Sequence, residues 1–204
     1  LPNRNYLAEK LTPKIESSQL EWGLLYIDVD NFKNINDTFG HSTGDQVLIA
    51  VASRLKSLLG SKDEIVRFGG DEFLVFTPKD RAVDVAEQII GAVNMPFEIR
   101  SNLFSLGISV GVAFYPQNTG SVEELIGFSD LAMYAAKKRK NSVEYFNSSM
   151  QINAIRNAKI EQLLRSGIES DELFMVYQPQ VDSSGNLYGI ESLVRWNNKE
   201  LGNV

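Results

Sequence analysis

The chain has 204 residues, enough for one full domain and part of a second. Lys and Arg number 20 against 26 Asp and Glu, a net charge of −6, which argues against nonspecific nucleic-acid binding but leaves room for a nucleotide held by local donors and a cation. Without cysteine, disulfides, thiolate metal sites and cysteine nucleophiles are excluded.

From the N-terminus, Leu7, Leu11 and Ile15 recur at helical spacing and predict a helix over the first turns despite Pro13. Leu24, Leu25, Tyr26 and Ile27 form an apolar run ending in Asp28-Val29-Asp30, the pattern of a buried strand that delivers acids at its C-terminal end. A short helix is predicted from about Asn31 to Asp37, stopping at Gly40. Thr43 is expected to cap a longer helix, with Gln46 at the capping-box position and Val47, Leu48, Val51, Leu55 and Leu58 on its buried face. Apolar runs at Ile65, Val66, Phe68 and Phe73 to Phe76 flank Gly69-Gly70-Asp71-Glu72, a hairpin whose bare backbone lets a bulky ligand approach beside a carboxylate. Ala82 to Ala92 reads as an amphipathic helix burying Val83, Val85, Ala86, Ile89 and Ile90, and Phe104 to Phe114 as a strand. A helix over Val122 to Lys140 with a basic end precedes a closing strand at Val143 to Phe146. Strands alternating with helices around a hairpin give an α/β (α+β) fold, a mixed sheet wrapped by helices.

Beyond Phe146, Ile152, Ile155, Ile160, Leu163 and Leu164 mark a connecting helix, and Leu173 to Gln180 and Leu187 to Trp196 read as two strands. Two strands cannot bury a core by themselves, so they are expected to open a second domain. The organisation expected is a domain over 1–148, a connecting helix over 149–170 and a domain fragment over 171–204. No apolar run approaches the roughly 20 residues of a membrane helix, and the start at Leu1 suggests a piece of a longer protein.

Asp28 and Asp71 are two hard oxygen donors from separate segments, which suits Mg²⁺ when substrate phosphates complete its shell. The helix after Asn31 points its first amides at the same region, and Lys33 can neutralise a β- or γ-phosphate there. Asp45 suits guanine, whose adjacent ring and exocyclic N–H groups a carboxylate accepts; Asn36 offers a second polar contact. His41, the only histidine, reads as structural.

Asp28-Val29-Asp30-Asn31-Phe32-Lys33, Asn36-Asp37-Thr38-Phe39-Gly40-His41, Gly44-Asp45 and Gly69-Gly70-Asp71-Glu72-Phe73 together resemble the GGDEF family of diguanylate cyclases. The likeness extends to Leu1-Pro2-Asn3-Arg4, to Ile108-Ser109-Val110-Gly111-Val112-Ala113 and to Ala132-Met133-Tyr134. The resemblance implies the nucleotidyl-cyclase fold and condensation of two GTP into cyclic di-GMP by an antiparallel homodimer. It implies that Asp28, the Val29 carbonyl and Asp71 bind Mg²⁺, with Mn²⁺ as a substitute, beside Glu72. Catalysis would then rest on Asp71, Glu72 and Asp28. The Phe32 amide, Lys33, Gly69, Gly70 and Lys137 would hold phosphates, and Asn36 and Asp45 the base. A cytoplasmic location follows, with any membrane link made through segments upstream.

Two departures stand out. The Arg of the family's Arg-x-x-Asp product-inhibition site is Gly60 here while Asp63 remains, so feedback through that site is expected to be weak or absent. The family's second phosphate cation follows a glycine, whereas this chain reads Lys137-Lys138-Arg139-Lys140-Asn141, leaving Arg139 and Lys140 both open for the role. Tyr177-Gln178-Pro179 and Glu191-Ser192-Leu193-Val194-Arg195-Trp196 resemble the opening of an EAL phosphodiesterase domain, a TIM-barrel-like fold. There Glu191 would bind metal, and Gln178 and Arg195 would contact cyclic di-GMP.

Overall fold

The structure is a computed structural model that describes residues 1–203; Val204, the last residue of the expected 171–204 segment, lies outside the described residues. The chain divides into two compact units, Leu1–Gln151 and Ile152–Val204.

In the first unit, β1 (Trp22–Val29) is buried at all eight positions because it is the middle strand of a five-stranded sheet. Its neighbours are β3 (Glu72–Pro78) and β6 (Ile108–Tyr115), both antiparallel to it; β2 (Glu64–Gly69) and β7 (Ser142–Tyr145) form the edges, β7 parallel to β6. The two-residue period of β1 sorts its side chains between two cores. Leu25, Ile27 and Val29 pack with α4 (His41–Leu58) and α5 (Ala82–Val93), through Val47, Val51, Leu55 and Ile89. Trp22, Leu24 and Tyr26 face the opposite way, against Leu7, Leu11 and Ile15 of the N-terminal helical segment and Leu125 and Met133 of α6 (Val122–Lys137). That segment is α1 (Arg4–Tyr6), a π-helical turn over Leu7–Leu11, and α2 (Thr12–Glu16).

Gly111 in β6 sits so close to α6 that a Cβ would fall 2.0 Å from the Ser129 carbonyl and 2.1 Å from the Met133 amide. Helix backbone and strand backbone therefore touch, which fixes the C-terminal end of α6 over the sheet.

Several expected boundaries move. The longer helix expected after Gly40 begins at His41 with Gly40 as its cap, so Thr43 is a buried residue inside the first turn rather than the cap. The strand expected from Phe104 is interrupted: β4 (Phe97–Ile99) and β5 (Asn102–Phe104) form a separate hairpin, and β6 starts only at Ile108. Val83 is exposed, because it falls on the solvent side of α5 while Val85, Ala86 and Ile89 take the core side. α6 ends at Lys137, and the connection to β7 contains two consecutive left-handed residues, Lys140 (φ 56°) and Asn141 (φ 44°).

In the second unit, α7, whose span Ser148–Glu169 begins before the unit does, is followed by β8 (Leu173–Val181), β9 (Leu187–Asn198) and β10 (Gly202–Asn203), an antiparallel sheet. Most of its apolar side chains are exposed, Phe174, Tyr177, Tyr188 and Ile190 among them. Its anchor is local: Trp196 packs on Gly167, and Glu172 accepts from Trp196 Nε1 at 2.9 Å and Asn198 Nδ2 at 2.7 Å. No helix among the described residues is long and apolar enough to cross a membrane.

Candidate active site at the hairpin tip

The end of β1 and the tip of the β2–β3 hairpin meet because their strands pair: Asp28 stands opposite Glu72, and the Val29 amide donates to the Asp71 carbonyl at 3.3 Å. The turn is held by Arg67, whose Nε and Nη2 donate to the Gly70 carbonyl at 3.1 and 2.7 Å. Arg67 had no role in the sequence reading. Its position next to the glycine pair is the signal that marks it as a clamp.

α3 (Phe32–Phe39) starts directly after β1, with Asn31 turning the chain at φ 58°. This brings Asp28, Val29 and Asp71 together with Lys33, Lys137 and Lys140 around a pocket of about 270 Å³ with Phe32 at its wall. Of the two residues left open by the sequence, Lys140 lines this pocket and its Nζ reaches Asn31 Oδ1 at 3.2 Å, while Arg139 pairs with Glu144 at 3.0 Å. The left-handed pair Lys140-Asn141 turns the chain back, and Asp30 secures it, accepting from the Asn141 amide at 2.9 Å and from Ser109 Oγ at 2.7 Å. Asp30, inside the first motif but given no chemistry from sequence, thus positions the lysines. A larger cavity of about 470 Å³ lies elsewhere, lined by Arg4, Phe68, Glu16 and Glu123 among others, and gathers neither the paired acids nor the lysines.

Asp28 is 5 % exposed and its Oδ2 pairs with Lys137 Nζ at 2.9 Å. Burial pushes its carboxyl up to about 6; Lys137 opposes the push, and the charges of Asp71 and Glu72 reinforce it. Lys137 is itself held above its ordinary value: burial acts against its charge, but the hydrogen bond and charge of Asp28 outweigh it. Burial, with Glu72 adding to it, also raises the Tyr26 phenol, so Tyr26 remains a hydrogen-bond donor towards Glu72. A buried carboxylate among other acids calls for a hard cation. No group of three or more His, Cys, Asp or Glu among the described residues is arranged to hold a metal. Two carboxylates and a carbonyl nevertheless suit Mg²⁺, which takes few protein ligands and completes its octahedron with phosphate oxygens and water.

Gly69 and Gly70 form the hairpin tip without lining the pocket. Asn36 and Asp45 stand outside it, on α3 and α4. Asn36 lies against Gly44, where a Cβ would fall 2.0 Å from its Oδ1, so the two helices bring Asn36 beside the residue that precedes Asp45. The Asp63 side chain is fully buried, bound to Arg81 at 3.0 Å, to Thr77 Oγ1 at 2.7 Å and to the Gly60 amide at 2.7 Å. In the second unit, Gln178 and Glu191 are direct cross-strand partners, and Arg195, four residues along β9, shares their face.

The family model described as "Diguanylate cyclase, GGDEF domain" matches residues 1–142. The chain belongs to the GGDEF family. Among curated proteins, the bifunctional diguanylate cyclase/cyclic di-GMP phosphodiesterase MucR of Pseudomonas aeruginosa is 35% identical over 99% of this chain and 31% of its own length. The cyclic di-GMP phosphodiesterase PdeR of Escherichia coli is 33% identical over 99% of this chain and 31% of its own length. The chain thus spans about a third of these relatives. Among solved structures, the GGDEF domain of YfiN from Pseudomonas aeruginosa aligns with a TM-score of 0.68 at 32% identity, covering 72% of this chain and 97% of that one. The active GGEEF domain of a diguanylate cyclase from Vibrio cholerae aligns with a TM-score of 0.65 at 27% identity, covering 72% and 98%. The mixed sheet wrapped by helices is that of GGDEF domains.

Proposed function

We propose that the first unit is a diguanylate cyclase that condenses two GTP into cyclic di-GMP with Mg²⁺, each GTP held by one copy of the chain. The observation that carries this reading is the meeting of Asp28, Val29 and Asp71 with Lys33, Lys137 and Lys140 in one pocket. Lys33, Lys137 and Lys140 neutralise the triphosphate, and the Phe32 amide, at the first turn of α3, donates to it. Asp28, Val29 and Asp71 hold the metal, with Glu72 beside them. When bound, Mg²⁺ polarises the α-phosphate and lowers the pKa of the attacking 3′-hydroxyl. Asn36 and Asp45 select guanine, which a carboxylate binds through its adjacent N–H donors and adenine cannot match. In each of two steps the 3′-hydroxyl of the GTP on one copy attacks the α-phosphate of the GTP on the other, the α–β phosphoanhydride bond breaks and pyrophosphate leaves, so positioning of two copies supplies much of the rate.

A second reading is that the domain binds GTP without turnover and regulates an adjoining phosphodiesterase. The likeness over nearly the whole chain to PdeR, named as a phosphodiesterase, favours it. On either reading we take residues 171–204 as the start of an EAL domain, in which Gln178, Glu191 and Arg195 share the face that would hold metal and cyclic di-GMP. Incubation with GTP and Mg²⁺ separates the readings when affinity is measured beside turnover, with Asp71→Ala as control. Cyclic di-GMP formed by the wild type and abolished in the variant supports the cyclase. Tight binding without product selects the regulatory module.

A further inference from the structure

The β4–β5 hairpin stands over both helices that carry the base-reading residues. Phe104 of β5 meets Phe39, the last residue of α3, edge to face with ring centroids 5.1 Å apart. At the turn, Arg100 Nη2 donates to Ser42 Oγ in the first turn of α4 at 2.9 Å. Ser42 and Asp45 are three residues apart on α4, so they are neighbours on its surface. Asn36, from α3, lies against Gly44 of the same turn. Three elements therefore converge on the start of α4 and carry an amide, a carboxylate and a guanidinium to it.

The turn is built at a cost. Arg100 (φ 51°) and Ser101 (φ 64°) are both left-handed, although a two-residue turn of this kind normally employs Asn and Gly. Non-glycine residues in that region are strained, and such strain persists where the surrounding structure or a function holds it. The return is an exposed guanidinium held at α4 by Ser42. Among the described residues, neither Arg100 nor Asp45 takes part in an ion pair, so the two charges stand beyond salt-bridge distance of each other.

We infer that Arg100 is a specificity-determining residue for the base, donating to the O6 and N7 of guanine while Asp45 accepts from N1–H and the 2-amino group. This rests on the reading of Asn36 and Asp45 as the guanine site. The chemistry is complementary: guanine presents two acceptors, O6 and N7, on one edge and two donors on the next, and the planar fork of arginine matches the acceptor pair. Adenine offers an amino group where guanine has O6, so it meets Arg100 donor to donor.

The test is equilibrium binding of GTP, 7-deaza-GTP and ITP with Mg²⁺ to the whole chain, on the wild type, Arg100→Ala, Arg100→Gly and Asp45→Ala. Arg100→Gly keeps the turn foldable, because glycine suits the left-handed conformation. The wild type is expected to bind GTP about tenfold more tightly than 7-deaza-GTP, which lacks the N7 acceptor. Both Arg100 variants are expected to bind the two equally, with Arg100→Gly melting no lower than the wild type. Asp45→Ala is expected to keep the N7 preference and lose the preference for GTP over ITP, which lacks the 2-amino group. An N7 preference that survives in Arg100→Gly overturns the inference while leaving the guanine site standing. An Asp45→Ala that still prefers GTP over ITP overturns the guanine site itself.

Discussion

Asp28 couples the electrostatics of the site to the stability of the fold. Its carboxyl titrates near 6 in the folded protein against an ordinary value of 3.8, so the folded chain binds this proton more tightly than the unfolded chain does. Between about pH 4 and pH 6 the contribution of Asp28 to stability therefore falls as pH rises, by up to about 3 kcal/mol in metal-free protein. Urea unfolding of wild type and Asp28→Asn across that window checks this, and stability curves that run parallel contradict it. The lysines make a second prediction at this scale. Lys140→Ala is expected to weaken GTP binding about tenfold or more, the worth of a charge-assisted hydrogen bond, and Arg139→Ala to leave it nearly unchanged. Calorimetric titration of both variants reads the difference. The acids and Lys33 are legible in the sequence because they sit at the end of one apolar run and at a glycine pair. Lys140 is not, because its place depends on left-handed turns at Lys140 and Asn141 that no propensity marks in a basic run.

At the scale of elements, β6 and α6 are fixed by a contact that allows no side chain. Gly111→Ala would force the Ser129 and Met133 backbone away, and with it Lys137 at the end of α6. Such overpacking costs about 1–3 kcal/mol or more, and weaker GTP binding is expected to accompany the lower melting temperature. Asp63 shows how one element can consume a residue that the family uses elsewhere. Arg81, Thr77 and the Gly60 amide take its oxygens, so Asp63→Ala is expected to destabilise the fold by about 3 kcal/mol, measured by denaturant unfolding. The periodicities of α4 and α5 were readable because each buries one face, and β1 was readable as an unbroken apolar run because it is buried on both. The break at 105–107 and the helix start at His41 were not, since they follow from the β4–β5 hairpin and from the turn at Gly40.

For the whole molecule, the proposed reading gives each copy of the first unit one set of metal, phosphate and base groups, whereas joining two GTP needs two sets facing each other. Asp28, Lys33 and Asp45 were legible as half of that arrangement, since their chemistry belongs to a single nucleotide. On that reading the other half lies in a second copy, whose placement no pattern within one chain describes. The most direct measurement is therefore the rate of cyclic di-GMP formation from GTP and Mg²⁺ as a function of protein concentration. Specific activity is expected to rise with concentration until the pair is saturated and to vanish in Asp71→Ala. Absence of product at every concentration, or a specific activity independent of concentration down to dilutions at which the protein is monomeric, would contradict that reading.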